Sequence, residues 1–259
     1  MHTARGIQET NALGGTNTIN LPALPAPNAY VLDLAAELII TSNLAITGGG
    51  SATTIIDGNK NLRPGSGVLA INFGNTVNIS GVTIRNGGRN FGLISGGGGI
   101  LNGGTTTLNN STVSGNSTVS GGASVGAGGI LNSSGTMILT NSTVSGNTTQ
   151  GAGGGILNLN GTMTLTNTTV SGNSADSIGG GIHNFGGAIT LTDSTISGNS
   201  ADVHAGGINN SGTATLINST VSGNAAGSHG GGSYNGGTGA LLTLLNSTVS
   251  GNTAGGSGG

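Results

Sequence analysis

One phrase constrains this chain more than any other feature. It is Ser-Thr-Val-Ser-Gly-Asn or a near copy, ending at Asn116, Asn147, Asn173, Asn199, Asn224 and Asn252. Successive endings lie 31, 26, 26, 25 and 28 residues apart, and Ile79 to Asn86 is a degenerate earlier copy. A fixed period of this length marks a repeat architecture in which each unit contacts only its neighbours.

Each repeat holds three short apolar phrases. Gly-Gly-Ile-x-Asn contributes Ile100, Ile130, Ile156, Ile182 and Ile208, and Thr-x-Thr-Leu-Thr contributes Leu108, Leu139, Leu165, Leu191, Leu216 and Leu244. The Val-Ser-Gly-Asn phrase adds Val113, Val144, Val170, Ile196, Val221 and Val249. In the second phrase Met137, Met163, Ile189, Ala214 and Leu242 stand two residues before the leucine, with threonine between in every case but Ile138. That is the period of a strand, not of a helix. Three short strands per repeat predict an all-β fold, a right-handed parallel β-helix of about eight or nine triangular coils. The 56 glycines and the 2% of aromatic residues fit such a thin, small-residue core better than an ordinary globular interior.

Asparagines fall into three columns, expected at the corners, where their amides can bond from coil to coil. The first is Asn102, Asn132, Asn158, Asn184, Asn210 and Asn235. The second is Asn110, Asn141, Asn167, Asn218 and Asn246, with Asp193 taking one place. The third is Asn116, Asn147, Asn173, Asn199, Asn224 and Asn252. Repeat length varies after the third column, so inserted loops are expected at that edge. Residues 1–28 read as a cap and lead-in strand, with a short helix over Ile7–Leu13. Residues 29–86 read as irregular first coils and residues 87–259 as the regular repeats, all within one domain.

A net charge of −2 with five basic residues leaves no footprint for nucleic acid or anionic lipid. No stretch matches a membrane-spanning helix, and the lack of cysteine excludes disulfides and thiolate metal sites. Met1–Arg5 opens without the apolar core of a signal peptide, so the chain is expected to be a mature form or a fragment.

Gly-Gly-Gly-Ile-x-Asn followed by the Val-Ser-Gly-Asn phrase resembles the repeats of polymorphic outer-membrane and related bacterial surface proteins. Ile7–Ala12, Thr18–Pro22, Leu44–Gly48 and Thr54–Gly58 resemble the lead-in of bacterial right-handed β-helix proteins with a CSLREA-type segment, although its cysteine motif is absent. The resemblance implies an extracellular or cell-surface solenoid.

Candidate chemistry is sparse. Asp176 and Asp202 stand one repeat apart, as do His204 and His229, all on the variable edge, and they are the candidates for a metal site. No cofactor is expected. Thr136, Thr162 and Thr213, then Thr164, Thr190 and Thr215, then Thr166 and Thr192 predict outward threonine rows. On this basis the first expectation is a non-catalytic structural or interaction solenoid of the cell exterior, stacking head to tail with copies of itself. The second is a binding module using the threonine faces for glycans or ice. The third is a polysaccharide-active enzyme.

Overall fold

The computed structural model describes residues 16–22, 30–34, 36–61, 65–91, 96–120 and 126–259. The helix expected over Ile7–Leu13 lies outside them. Among the described residues there is no helix, and every pair of neighbouring strands is parallel. The chain is a β-solenoid in which each coil adds one strand to each of several sheets.

The coil that starts at Ile156 shows the plan. Ile156–Leu159 lies in an eight-stranded sheet, called sheet 4 here, and Thr162–Thr166 in the nine-stranded sheet 1. Thr169–Ser171 joins the nine-stranded sheet 2, and Ser174–Ala175 the seven-stranded sheet 3. A glycine-rich segment then returns to sheet 4 at Ile182. Register is strict, so that Met163 pairs with Met137 and Ile189, and Val170 with Val144 and Ile196. The early strands, although irregular in sequence, enter the same sheets. Thr16–Asn20 starts sheet 1, Tyr30–Asp33 sheet 2 and Leu38–Ile40 sheet 4.

Alternation decides what is buried. In Thr162–Thr166 the side chains of Met163 and Leu165 are buried while the threonines face out, as the period of two requires. The interior is therefore a stack of layers, such as Ile156, Met163, Leu165 and Val170, each sealed by the layers above and below. A single coil has no second face to bury against, so stability comes from stacking.

Two asparagine columns are continuous ladders. Asn102, Asn132, Asn158, Asn184, Asn210 and Asn235 are linked Nδ2 to Oδ1 at 2.7–2.8 Å. Asn116 to Asn252 are linked the same way at 2.9–3.0 Å. The second column behaves differently. Asn110, Asn141, Asn167, Asp193, Asn218 and Asn246 hold φ between 46° and 51°, a left-handed turn that asparagine and aspartate tolerate best after glycine. Side-chain bonds join only Asn167 to Asn141 and Asn218 to Asp193. The inward ladder at that corner is made by the next residue: the hydroxyls of Ser111, Ser142, Ser194 and Ser219 accept from the backbone N–H one coil below, and Thr168 in the same column donates to the carbonyls of Leu139 and Thr166.

The stretch after Gly-Asn, expected from its variable length to be an inserted loop, joins the stack in the coils where all of it is described, from Asn147 onward. It opens with the short strands of sheet 3, and its glycines then stack on those of the next coil, Gly154 on Gly179 and Gly179 on His204. This segment lies against the outer face of sheet 4. A Cβ on Gly153 or Gly179 would sit 2.9 Å from side-chain atoms of Leu157 or His183, and both glycines have positive φ. Nothing larger fits there without moving the strand. The outcome is a second apolar cluster of Ala127, Leu131 and Leu157 on what would otherwise be an exterior surface.

Candidate functional site

A chain with 2% aromatic residues must place each of them with care. Three side chains of phenylalanine or tyrosine are described, and all three are exposed: Phe73 at 87%, Phe185 at 50% and Tyr234 at 38%. Single exposed apolar residues are normal on any surface. Phe73 and Phe185, however, occupy the same turn, between sheet 4 and sheet 1, whereas Tyr234 is the counterpart of Asn209 and His183 in the outward column of sheet 4, before the ladder asparagine. Phe73 follows Leu69–Ile71, Phe185 ends Ile182–Phe185 and Tyr234 lies in Ser233–Asn235. The strands of sheet 1 that follow them are the third, seventh and ninth in that sheet. With neighbouring strands 4.7–4.9 Å apart, Phe73 and Phe185 are roughly 19 Å apart along the axis, and Phe185 and Tyr234 roughly 10 Å.

The floor between Phe73 and Phe185 is low. Phe73 overhangs a cleft of about 250 Å³ lined by Gly74, Gly103, Gly104, Thr105, Ser134, Gly135 and Thr136. Thr105, Thr136, Thr162 and Thr213, the first outward threonines of sheet 1, flank the turn at one hydroxyl per coil, with Ala188 interrupting. The other expected threonine rows, Thr164, Thr190 and Thr215, then Thr166 and Thr192, do face outward on the same sheet.

On the outward face of sheet 4, toward the last coils, lies a stack of rings. His204 packs face to face on Tyr234 at 4.9 Å and edge-on to His229 at 5.1 Å. His204 and His229 are paired one coil apart, as the sequence spacing implied. The backbone N–H groups of Asp176 and Asp202 donate to Thr149 and Ala175 at matching steps, so these two aspartates are also in register and both are exposed. The four do not combine. Among the described residues no three of His, Cys, Asp or Glu come together as a metal site.

The sequence did not single out His183 as a site residue. It occupies the outward column of sheet 4 above Leu157, is 6% exposed, and neither ring nitrogen has a hydrogen-bond partner. Burial pushes it down to about 4 from the usual 6.5, so it is neutral at pH 7. Its nearest aromatic contact is the edge of Phe185, 5.8 Å away. The repeated Ile-Leu-Asn of earlier coils was the available signal, since a leucine at an outward position implies a cover.

The charged residues gather at the opposite end. Asp57 accepts from Arg85 Nε and Asn86 Nδ2, each at 2.8 Å. Although burial alone would raise its carboxyl, these bonds and the backbone N–H of Asn59 hold it below the usual range. Arg89 pairs with Glu37, and Lys60 donates to the carbonyl of Gly115 at 2.8 Å. Each of these side chains binds the first coils together, and none reaches the aromatic turn.

No family model matches the chain, and no curated protein sequence matches it. Two similar solved structures are the A-modules of the mannuronan C-5 epimerases AlgE4 and AlgE6 from Azotobacter vinelandii, each at 16% identity and a TM-score of 0.31. The first match covers 98% of this chain and 94% of that module, the second 97% and 93%. At this identity the likeness concerns the β-helix architecture. It does correct the order of expectations: the neighbours are polysaccharide enzymes, the class placed third. The expected non-catalytic, head-to-tail structural solenoid and the threonine-face binding module are accordingly not retained.

Proposed function

We propose that this β-helix acts on an extended polysaccharide held lengthwise along the turn between sheets 4 and 1. The observation that carries the reading is the placement of Phe73 and Phe185 in that one turn, both exposed, with Thr105, Thr136 and Thr162 on the coils between them. Sugar rings offer an apolar C–H face that lies on an aromatic ring, and edge hydroxyls that bond to threonine and serine. No helix among the described residues is long and apolar enough to cross a membrane. The resemblance of the repeats to bacterial surface proteins supports a location outside the cell, where extended polysaccharides occur.

Affinity electrophoresis tests the reading. Migration of the protein is expected to slow in gels containing soluble polysaccharide. Phe185→Ala is expected to weaken the retardation by about tenfold, the usual effect of truncating an aromatic anchor, with an unchanged thermal melt. Equal retardation of wild type and of a Phe73→Ala/Phe185→Ala variant would refute it.

A further inference from the structure

We infer that His204 and His229 form a two-histidine site for a divalent transition-metal ion, Zn²⁺ or Cu²⁺, on the glycine-rich return segment beside sheet 4. The two residues are parallel bridge partners and so hold equivalent places in successive coils, with Cα atoms one strand spacing apart, about 4.7–4.9 Å. Their ring centres are 5.1 Å apart. When two imidazoles share one ion, each metal–nitrogen bond is about 2.0–2.1 Å and each ring centre lies about 1.1 Å behind its nitrogen, so a tetrahedral angle sets the centres about 5 Å apart. The register of the coils has brought the pair to that separation.

Two features of the surroundings point to ligation rather than to plain packing. Nδ1 of His204 is buried and has no hydrogen-bond partner, and a buried polar atom of this kind is costly unless something meets it. An ion between that atom and Nε2 of His229 supplies the missing partner. The second feature is support. The ring of His204 is stacked on Tyr234 with centres 4.9 Å apart and planes 11° apart, which fixes its plane. Nδ1 of His229 lies 2.6 Å from Ser228 Oγ. With the ion on Nε2, that Nδ1 carries the proton and donates to the hydroxyl, the kind of outer hydrogen bond that orients a metal-ligating imidazole.

The donor set selects the ion. Among the described residues no third histidine, cysteine, aspartate or glutamate joins the pair, so Ca²⁺ and Mg²⁺ lack the carboxylates that hold them elsewhere. Neutral imidazoles suit Zn²⁺ and Cu²⁺. Water takes the remaining coordination positions, and the ion ties two successive coils together where the return segment lies against sheet 4. The site is separate from the turn of Phe73 and Phe185 and stands or falls without it.

Calorimetric titration of the whole chain with zinc chloride tests the site. One ion per chain is expected. His229→Ala, a change at an exposed residue, is expected to weaken binding by at least about tenfold, and Ser228→Ala by up to about tenfold, as for other groups that orient a ligating imidazole. His2→Ala with His183→Leu removes the other two histidines and is expected to leave the titration unchanged. Calcium chloride is expected to give no saturable heat. Zinc should also raise the melting temperature of the wild type, since it binds the folded pair, and leave that of His229→Ala where it was. Absence of zinc binding, equal binding by wild type and His229→Ala, or loss of binding in the His2→Ala/His183→Leu chain overturns the inference. Calcium binding as tight as zinc binding overturns the choice of ion.

Discussion

His183 offers the sharpest test of the packing described above. It sits where the two preceding coils place Leu131 and Leu157, and it is covered by the glycine-rich segment that would also cover a leucine. Two buried ring nitrogens without partners carry a desolvation penalty of about 1–3 kcal/mol. His183→Leu is therefore expected to raise stability at pH 7 by about that amount. The pH dependence is more diagnostic. The folded ring binds its proton with a pKa of about 4, against 6.5 in the unfolded chain. Between these values the unfolded state holds more protons, so stability is complete above pH 6.5 and drains away as pH falls toward 4. A gap of this size amounts to about 3 kcal/mol over the full window. Urea denaturation between pH 7.5 and pH 4 should show the loss in wild type, and its disappearance in His183→Leu. The leucine variant would refute the reasoning if it were no more stable at pH 7 and kept the wild-type slope between pH 6.5 and 4.

Asn173→Leu removes the acceptor for the N–H and amide of Asn147 and the donor to the carbonyl of Val144, and is expected to cost about 1–3 kcal/mol in denaturation midpoint. Thr164→Ser, on the outward face of sheet 1, should cost far less, and equal shifts would mean that inside and outside are exchanged. Ala205 is buried at φ 58° in a column otherwise occupied by Gly153, Gly179 and Gly230. Ala205→Gly is expected to gain up to about 1 kcal/mol by thermal melt, as relief of left-handed strain outweighs the added chain entropy. Asp193→Asn should stay within about 0.5 kcal/mol of wild type, because its turn tolerates either residue and its bond to Asn218 is exposed.

Much of this architecture was legible because a solenoid writes its geometry in the sequence once per coil. The Thr-x-Thr-Leu alternation fixed which side chains face inward, and the Asn102 and Asn116 columns marked two ladders that the structure contains. Less visible was anything set by contact between non-equivalent parts of a coil. The Asn110 column looked like a third ladder, but its left-handed backbone turns the amides outward and hands the ladder to Ser111 and its counterparts. The glycine-rich return looked like loop because its length varies. Its function as a lid on Leu131, Leu157 and His183 depends on close approach, which glycine permits and does not advertise. The aromatic turn was missed for a related reason. Phe73 and Phe185 share no phrase in the sequence, and the coils alone bring them to one turn.

The same constraints explain why a ligand surface belongs at that turn. A coil can vary only where its side chain has no counterpart to match above and below. Inward positions must interlock, and the Asn116 corner must continue its amide bonds. The Asn110 corner needs a residue that accepts positive φ, and the outer face of sheet 4 is covered. Between sheets 4 and 1 the demands fall on the left-handed position of Ser134, Asn160 and Gly186 and on the glycine before sheet 1, which leaves the residue directly after the ladder asparagine free. After the ladder asparagine the chain reads Gly-Gly at 103, Ser-Ser at 133, Leu-Asn at 159, Phe-Gly at 185 and Ser-Gly at 211. Such freedom lets a repeat carry a ring at one level and a bare floor at the next without altering the stack. Side chains placed there recur only at multiples of the coil height, about 4.7–4.9 Å.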